Sequence, residues 1–265
     1  MSPIEPVCLI TGASSGIGAA LAWQFARAGH ALVLVARREA QLIALADEIA
    51  AAGHARPVVI AIDLAAPGAT ARLADELATR ALEPAFVVNN AGFGMLGEAA
   101  MLNRAEQLAM IDLNVRVLTE LSLRWLESVK CHRGGILNVA SLAGFLPGHG
   151  MAVYHASKAY VISFTEALHA ELKASGVKVC ALCPGPVMTG FYARAGLPRE
   201  YFPGYALRTP ERVAREGFEG LMAGRRVVVP GRPNRIISLL PRLLPRRLAL
   251  AMSRRRWTRA KRRSG

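Results

Sequence analysis

"VCLITGASSGIG" (residues 7–18) decides the fold. Val7 to Thr11 form an apolar, strand-prone run that ends abruptly at Gly12, and a helix-compatible run opens at Gly16. A strand that passes directly into a helix through glycines leaves free N–H groups at the helix start, and these attract phosphate. Gly12 permits the tight turn. Gly16 and Gly18 remove side chains where a pyrophosphate must approach the backbone and where the helix must pack on the sheet. The spacing G-x-x-x-G-x-G is not the commoner dinucleotide fingerprint, but it stands at the strand-to-helix junction that phosphate binding requires.

Outward from this stretch the same alternation recurs. "ALVLVA" (31–36) precedes a helical pattern at 39–52, and "PVVIAI" (57–62) precedes one at 68–81. "AFVVNN" (85–90) leads into long helical patterns over 104–130, and "GILNVA" (135–140) into a helix near 152–174. "VKVCALC" (177–183) and "RRVVVP" (225–230) supply a sixth and a seventh strand. Strands that are apolar throughout and alternate with helices predict a parallel sheet covered on both faces. Right-handed crossovers then wind it doubly. The expectation is an α/β fold with one doubly wound parallel sheet of about seven strands flanked by helices. A chain of 265 residues can bury such a core as one domain.

Hydrophobic residues make up 52% of the chain and charged ones 20%, a globular balance. The first residues lack a basic region followed by an apolar run, and no apolar stretch is long enough to span a bilayer. Cys8, Cys131, Cys180 and Cys183 are few for the length, which predicts reduced thiols and a cytoplasmic place. Cys180 and Cys183 lie in a strand-like run, so they should point to opposite faces as core residues rather than form a redox pair. No metal is expected. The net charge of +14 is lopsided: residues 225–265 hold 14 Lys/Arg and no acid, so the rest of the chain is neutral. The predicted organisation is one α/β domain over 1–233 and a basic amphipathic extension over 234–265.

Two features point to the cofactor and the chemistry. The second strand ends "LVARRE", placing Arg37 and Arg38 where NAD-binding sheets of this kind carry a carboxylate for the ribose 2′-hydroxyl. A guanidinium suits a 2′-phosphate, so NADP(H) is predicted over NAD(H). "AVYHASKAY" (152–160) places Lys158 one helical turn after Tyr154, on the same face. Bringing a phenol from a pKa near 10 to about 7 takes about 4 kcal/mol. An ammonium about 5 Å away supplies roughly 3 kcal/mol at an effective dielectric near 20. The pair is therefore expected to make Tyr154 exchange protons near neutrality. Tyr160 points away from Lys158 and is read as packing, while His149 and His155 are read as loop and helix-surface residues.

With these motifs in hand, the sequence resembles the short-chain dehydrogenase/reductase family over about residues 5–190. The likeness rests on "TGASSGIG", Asp63 in "AIDL", "NNAG" (89–92), Asn114 in "DLNV", Ser141 in "NVAS", "YHASK" (154–158) and "PGPVMT" (184–189). It implies a Rossmann-type fold and hydride transfer between a nicotinamide cofactor and a carbonyl. It implies that Tyr154 is the general acid and that the Ser141 hydroxyl bonds the same oxygen. Lys158 would tune Tyr154 and bond the cofactor ribose, and Asn114 would hold a water linking Lys158 to solvent. Ser14, Ser15 and Ile17 would contact the cofactor with Gly12, Gly16 and Gly18. Asp63, with Leu64 beside it, would meet the adenine. Asn90, Ala91 and Gly92 would line the adenosine side. Pro184, Gly185, Val187 and Thr189 would hold the nicotinamide carboxamide. The family's pairing through helices beside the fifth strand implies a homo-oligomer, a dimer or tetramer.

Residues 186–210 carry Gly, Pro and aromatic residues without a clear period, as a lid or substrate wall does. Met188, Phe191, Tyr192, Leu197, Tyr201 and Phe202 are expected to form an apolar pocket for a 3-oxoacyl, steroid or lipid-like carbonyl substrate. Thr209 and Pro210 then signal a new helix. In the basic extension, leucines and Trp257 alternate with arginines, and Pro241 and Pro245 are expected to break it into short helices. An anionic membrane surface fits this mixture best, giving a peripheral place at the inner membrane face. An acidic carrier protein is the second reading, and nucleic acid the weakest. The alternative to an enzyme is an NADPH-binding scaffold or sensor acting through this extension.

Overall fold

The computed structural model describes residues 4–196, 207–243, 247–248 and 250. Seven strands, β1 (Glu5–Thr11), β2 (Ala31–Ala36), β3 (Val58–Ala61), β4 (Leu82–Asn89), β5 (Gly135–Val139), β6 (Lys178–Leu182) and β7 (Val227–Val228), form one sheet. The order is β3-β2-β1-β4-β5-β6-β7, and every neighbouring pair is parallel. The chain builds outward from β1 to β3, then returns to β4 on the other side of β1. The crevice beyond the strand ends at that reversal is where doubly wound sheets bind ligands.

Alternation along each strand divides the core. Cys8, Ile10, Leu32 and Leu34 face α1 (Gly16–Arg27), α2 (Glu39–Ala51) and α9 (Pro210–Met222), where Phe25 and Leu221 are fully buried. Val7, Leu9, Val33 and Val35 face α3 (Ala69–Thr79), α5 (Leu118–Arg124) and α7 (Ala152–Leu172) through Leu73, Leu121 and Leu168. Cys180 belongs to the first layer and Cys183 to a cluster under α7, so the two thiols do point to opposite faces. All four cysteines are free, and Cys131 alone of them is exposed.

The helical stretch expected over 104–130 is divided. Asn103 caps α4 (Arg104–Ile111), its side chain accepting from Glu106 N at 3.1 Å. A π-helical turn, Asp112–Val117, then widens the helix before α5, and α6 (Leu126–Cys131) completes it. Thr209 caps α9 with Pro210 in the first turn, as expected. Two features depart from the sequence reading. A short helix, α8 (Phe191–Ala195), forms inside the loop that lacked a period. The C-terminal helix α10 (Arg232–Leu243) runs through Pro241 rather than breaking there. A proline this close to a helix end forfeits a single backbone bond. Pro245, Trp257 and the last basic block lie outside the described residues. Among the described residues, no helix is long and apolar enough to cross a membrane.

Candidate active site

The glycine loop is fixed from below by the end of β4. Asn90 Nδ2 donates to Thr11 O (3.0 Å) and Gly12 O (3.1 Å). Thr11 Oγ1 accepts from Asn90 N and Ala91 N, each at 3.0 Å. Gly12 and Gly16 adopt left-handed φ values of +65° and +60°, where an L side chain is strained. A Cβ on Gly12 would lie 2.8 Å from Asn90 Nδ2, and one on Gly18 would strike Gly12 O. Ser15, at the start of α1, makes no side-chain cap, so it does not occupy the first N–H groups of the helix. Ser14, Ser15 and Ile17 line the same cavity, which has a volume of about 1100 Å³.

At the end of β2, Arg38 bonds the loop hydroxyls, Nη2 lying 2.9 Å from Ser14 Oγ and 2.7 Å from Ser15 Oγ. Arg37 pairs with Asp63 at 3.7 Å across a half-exposed edge. Asp63 also accepts from Ala65 N, and the buried Leu64 lines the cavity beside it. The opposite wall is the segment after β6. Pro184 O accepts from Leu142 N at 2.8 Å, and Val187 bridges to Arg208 in parallel fashion. Strand-like alternation buries Val187 and turns Met188 outward, 54% exposed, so Met188 is not part of the pocket wall. Thr189 closes the cradle: a Cβ on Gly16 would meet its methyl at 2.9 Å. Gly185 lines the cavity and also admits α10, since a Cβ there would reach Asn234 Nδ2 at 2.5 Å. The boundary expected at residue 234 thus falls inside a helix whose first turns pack on the body, and Ile237 lines the cavity.

Ser141, Tyr154 and Lys158 share one wall. Ser141 caps a 3-10 turn over Leu142–Phe145, its Oγ accepting from Ala143 N at 3.1 Å. Lys158 Nζ donates to Val139 O at 2.7 Å and stands 6.0 Å from the Tyr154 ring centroid. Burial pushes the Tyr154 phenol up to about 12, a rise that its hydrogen bond with Ser141 partly offsets. Burial brings the Lys158 amine down to about 8, against an opposing pull from Cys183. The expected drift of the phenol toward neutrality is therefore corrected: without further charge in the site, desolvation raises it and the Ser141 hydrogen bond is the opposing pull. The amine is only 5% exposed and spends a proton on a backbone carbonyl.

Asn114 sits fully buried in the π-helical turn. Its amide clasps the backbone of Phe93 both ways, accepting from Phe93 N (3.1 Å) and donating to Phe93 O (2.9 Å). It also donates to Ser157 Oγ at 3.2 Å. Ala91 and Gly92 line the cavity between these groups, and a Cβ on Gly92 would lie 2.8 Å from Asn114 Oδ1 and 3.6 Å from Lys158 Nζ.

Phe191 packs on Tyr154 with ring centroids 5.4 Å apart, and Tyr192 joins it at the cavity wall, as expected. Leu197, Tyr201 and Phe202 lie outside the described residues. Sequence reasoning missed Gly94, where a Cβ would come within 2.7 Å of Phe191 Cζ and 3.1 Å of Tyr154 Cδ2. A second glycine two residues after the "NNAG" run was its only signal. Phe93, Arg194 and Ile237 were missed as well, and nothing local marks them.

A family model for short chain dehydrogenases matches residues 6–198. The chain belongs to the short-chain dehydrogenase/reductase family. It is 36% identical over 191 residues to sulfoacetaldehyde reductase 2 of Chromohalobacter salexigens, covering 71% of this chain and 75% of that one. A short-chain dehydrogenase from Sphingobium yanoikuyae in complex with NADPH superposes with a TM-score of 0.78 at 32% identity, over 86% of this chain and 88% of that one. A 3-ketoacyl-(acyl-carrier-protein) reductase from Brucella melitensis complexed with NADH gives 0.74 at 28% identity, over 86% and 99%. As a member of the family, this short-chain dehydrogenase is an oxidoreductase of carbonyl and alcohol groups that uses a nicotinamide dinucleotide and a small-molecule substrate.

Proposed function

We propose that this chain is an NADPH-dependent reductase of carbonyl compounds with an apolar body, such as 3-oxoacyl, steroid or lipid-like ketones and aldehydes. The observation that carries the reading is the meeting of Ser141, Tyr154 and Lys158 on one wall of a cavity whose other walls include the glycine loop, residues 184–187 and Thr189. The cradle fits a dinucleotide: Gly12, Gly16 and Gly18 leave space that side chains would fill, and the N-terminus of α1 faces it. Ser14, Ser15, Ile17, Asp63, Leu64, Asn90, Ala91, Gly92, Pro184, Gly185, Val187 and Thr189 would hold the cofactor. Arg38, already docked on Ser14 and Ser15, and Arg37 beside it would meet a 2′-phosphate. The NADPH-bound relative supports this choice; the NADH-bound one does not.

When bound, the cofactor supplies hydride to the carbonyl carbon. The chain's own task is the proton. Tyr154, with its pKa near 12, stands fully protonated at neutral pH, which suits a donor to a developing alkoxide. Ser141 shares the hydrogen bond and fixes the oxygen's position. Lys158 stabilises the phenolate that remains, and Asn114 keeps the Phe93 segment in place while a water beside it resupplies the proton. Phe191 and Tyr192 exclude bulk water from the wall around Tyr154. Oxidation of NADPH against a panel of neutral and acidic ketones tests the reading; binding of NADPH with no turnover on any of them would favour the scaffold alternative.

The oxidoreductase unit, expected over 1–233, takes in the first turns of α10. The basic segment beyond it docks on an anionic membrane surface, a reading supported by exposed Ile236, Leu239, Leu248 and Leu250 in a stretch, 225–265, that holds 14 Lys/Arg and no acid of its own. Co-sedimentation with anionic vesicles, with and without the residues after α10, tests it, and equal behaviour would reject it. Exposed Leu108, Ile111, Leu123 and Tyr160 on α4, α5 and α7 support pairing of copies into a dimer or tetramer, measurable by light scattering.

A further inference from the structure

We infer that Arg194 forms an anion subsite in the substrate half of the cavity, so that the preferred substrate carries a carboxylate, sulfonate or similar acidic group on its apolar body. The inference rests on the reductase reading above and deepens it. Arg194 lies on α8, in the segment that carries Phe191 and Tyr192 to the Tyr154 wall, and it lines the same cavity. Its guanidinium carbon stands 4.6 Å from the centroid of the Phe93 ring.

That position is built from both sides. Asn114 clamps the Phe93 backbone through donor and acceptor together. The last residue of α8, Ala195, is 3% exposed, and its carbonyl accepts from Leu96 N at 2.8 Å, three residues beyond Phe93. At the other end, Arg194 N donates to Gly190 O at 3.2 Å. The ring holds one face of the exposed guanidinium by cation–π attraction, and among the described residues its in-plane N–H fork has no hydrogen-bond partner. Among the described residues, no carboxylate forms a salt bridge with Arg194. A cation on the same cavity as Tyr154, seated on Phe93 and carried on the helix of Phe191 and Tyr192, with Glu106, His149 and His155 the other titratable groups of that half of the lining, gives an elongated substrate two anchors. Its carbonyl end meets Ser141 and Tyr154, and its acidic end meets Arg194.

The test compares a straight-chain keto acid, its neutral methyl ester and the matching keto sulfonate. The wild type should reduce the two anions with kcat/KM about 10- to 100-fold above the ester, the range of a charge-assisted hydrogen bond. In Arg194→Met this ratio should fall close to one, and in Arg194→Lys only part way, since lysine keeps the charge without the fork. A ratio unchanged by Arg194→Met, or no preference in the wild type, overturns the subsite. A parallel loss of NADPH affinity in Arg194→Met would also overturn it, assigning the arginine to the cofactor. Calorimetry separates this from failure of the reductase reading, because it needs no turnover. The wild-type protein saturated with NADPH should bind a medium-chain alkyl carboxylate about tenfold more tightly than the corresponding alcohol. Equal binding of the two contradicts the subsite even if no ketone is reduced.

Discussion

The end of β1 and the end of β6 face one cavity, and each carries a glycine that a methyl group would disrupt, for opposite reasons. At Gly12 the demand is the backbone's own left-handed φ together with the Asn90 amide at the end of the adjoining strand β4. At Gly185 the demand comes from Asn234 on α10, which is distant in sequence and packs where a side chain would otherwise sit. The β1 end is thus built by neighbours along the chain and by the adjoining strand. The β6 end is built by the C-terminal helix and the loop that carries α8. In the proposed reading both ends hold the cofactor, and the loop carrying α8 beyond β6 also shapes the substrate wall.

The sharpest division between the two regions comes from the polar pair on α7. Lys158→Met should lower turnover by about a thousandfold, in the range of lost acid–base assistance, whatever substrate is offered. Its second consequence needs no substrate. The amine falls from its ordinary 10.5 to about 8 in the folded protein, so the unfolded chain binds the extra proton between these values. Stability of the cofactor-free protein should therefore rise by about 3 kcal/mol as pH climbs from about 8 to 10.5, and be lost as pH falls back through that window. Tyr154, raised from 10 to about 12, works in the other direction above pH 10. Denaturant melts across this range should show the rise in the wild type and not in Lys158→Met; parallel curves would refute the buried ammonium.

Gly94→Ala probes the substrate side. Its methyl would crowd Phe191 and Tyr154, and overpacking of about 1–3 kcal/mol predicts a loss of about ten- to a hundredfold in kcat. NADPH affinity should hold in this variant, which fluorescence titration measures. Arg38→Leu probes the cofactor side with the smallest effect. NADPH should bind about tenfold more weakly and NADH as before. An equal loss for both cofactors would mean that Arg38 only braces Ser14 and Ser15.

What the sequence made legible follows the same line. The strands, the glycine turn and the Tyr154–Lys158 spacing depend on period and backbone sterics, which neighbouring residues declare. The Ser141 wall was legible only through the family's motif order. The ionisation of Tyr154 was misjudged because charge separation can be read from spacing while burial cannot. Met188, Gly94, Arg194 and Ile237 were misplaced or unseen because their roles come from contacts between segments far apart in the chain. Pro241 misled because a helix tolerates a proline near its end when the preceding turns are anchored on the body.

The account rests most heavily on Tyr154 as the proton donor. Its direct test is Tyr154→Phe, with NADPH oxidation and NADPH binding measured on the same preparation. Loss of turnover by about a thousandfold with cofactor affinity unchanged is the predicted result. A variant that keeps more than about a tenth of its rate, or that loses the cofactor instead, would contradict it.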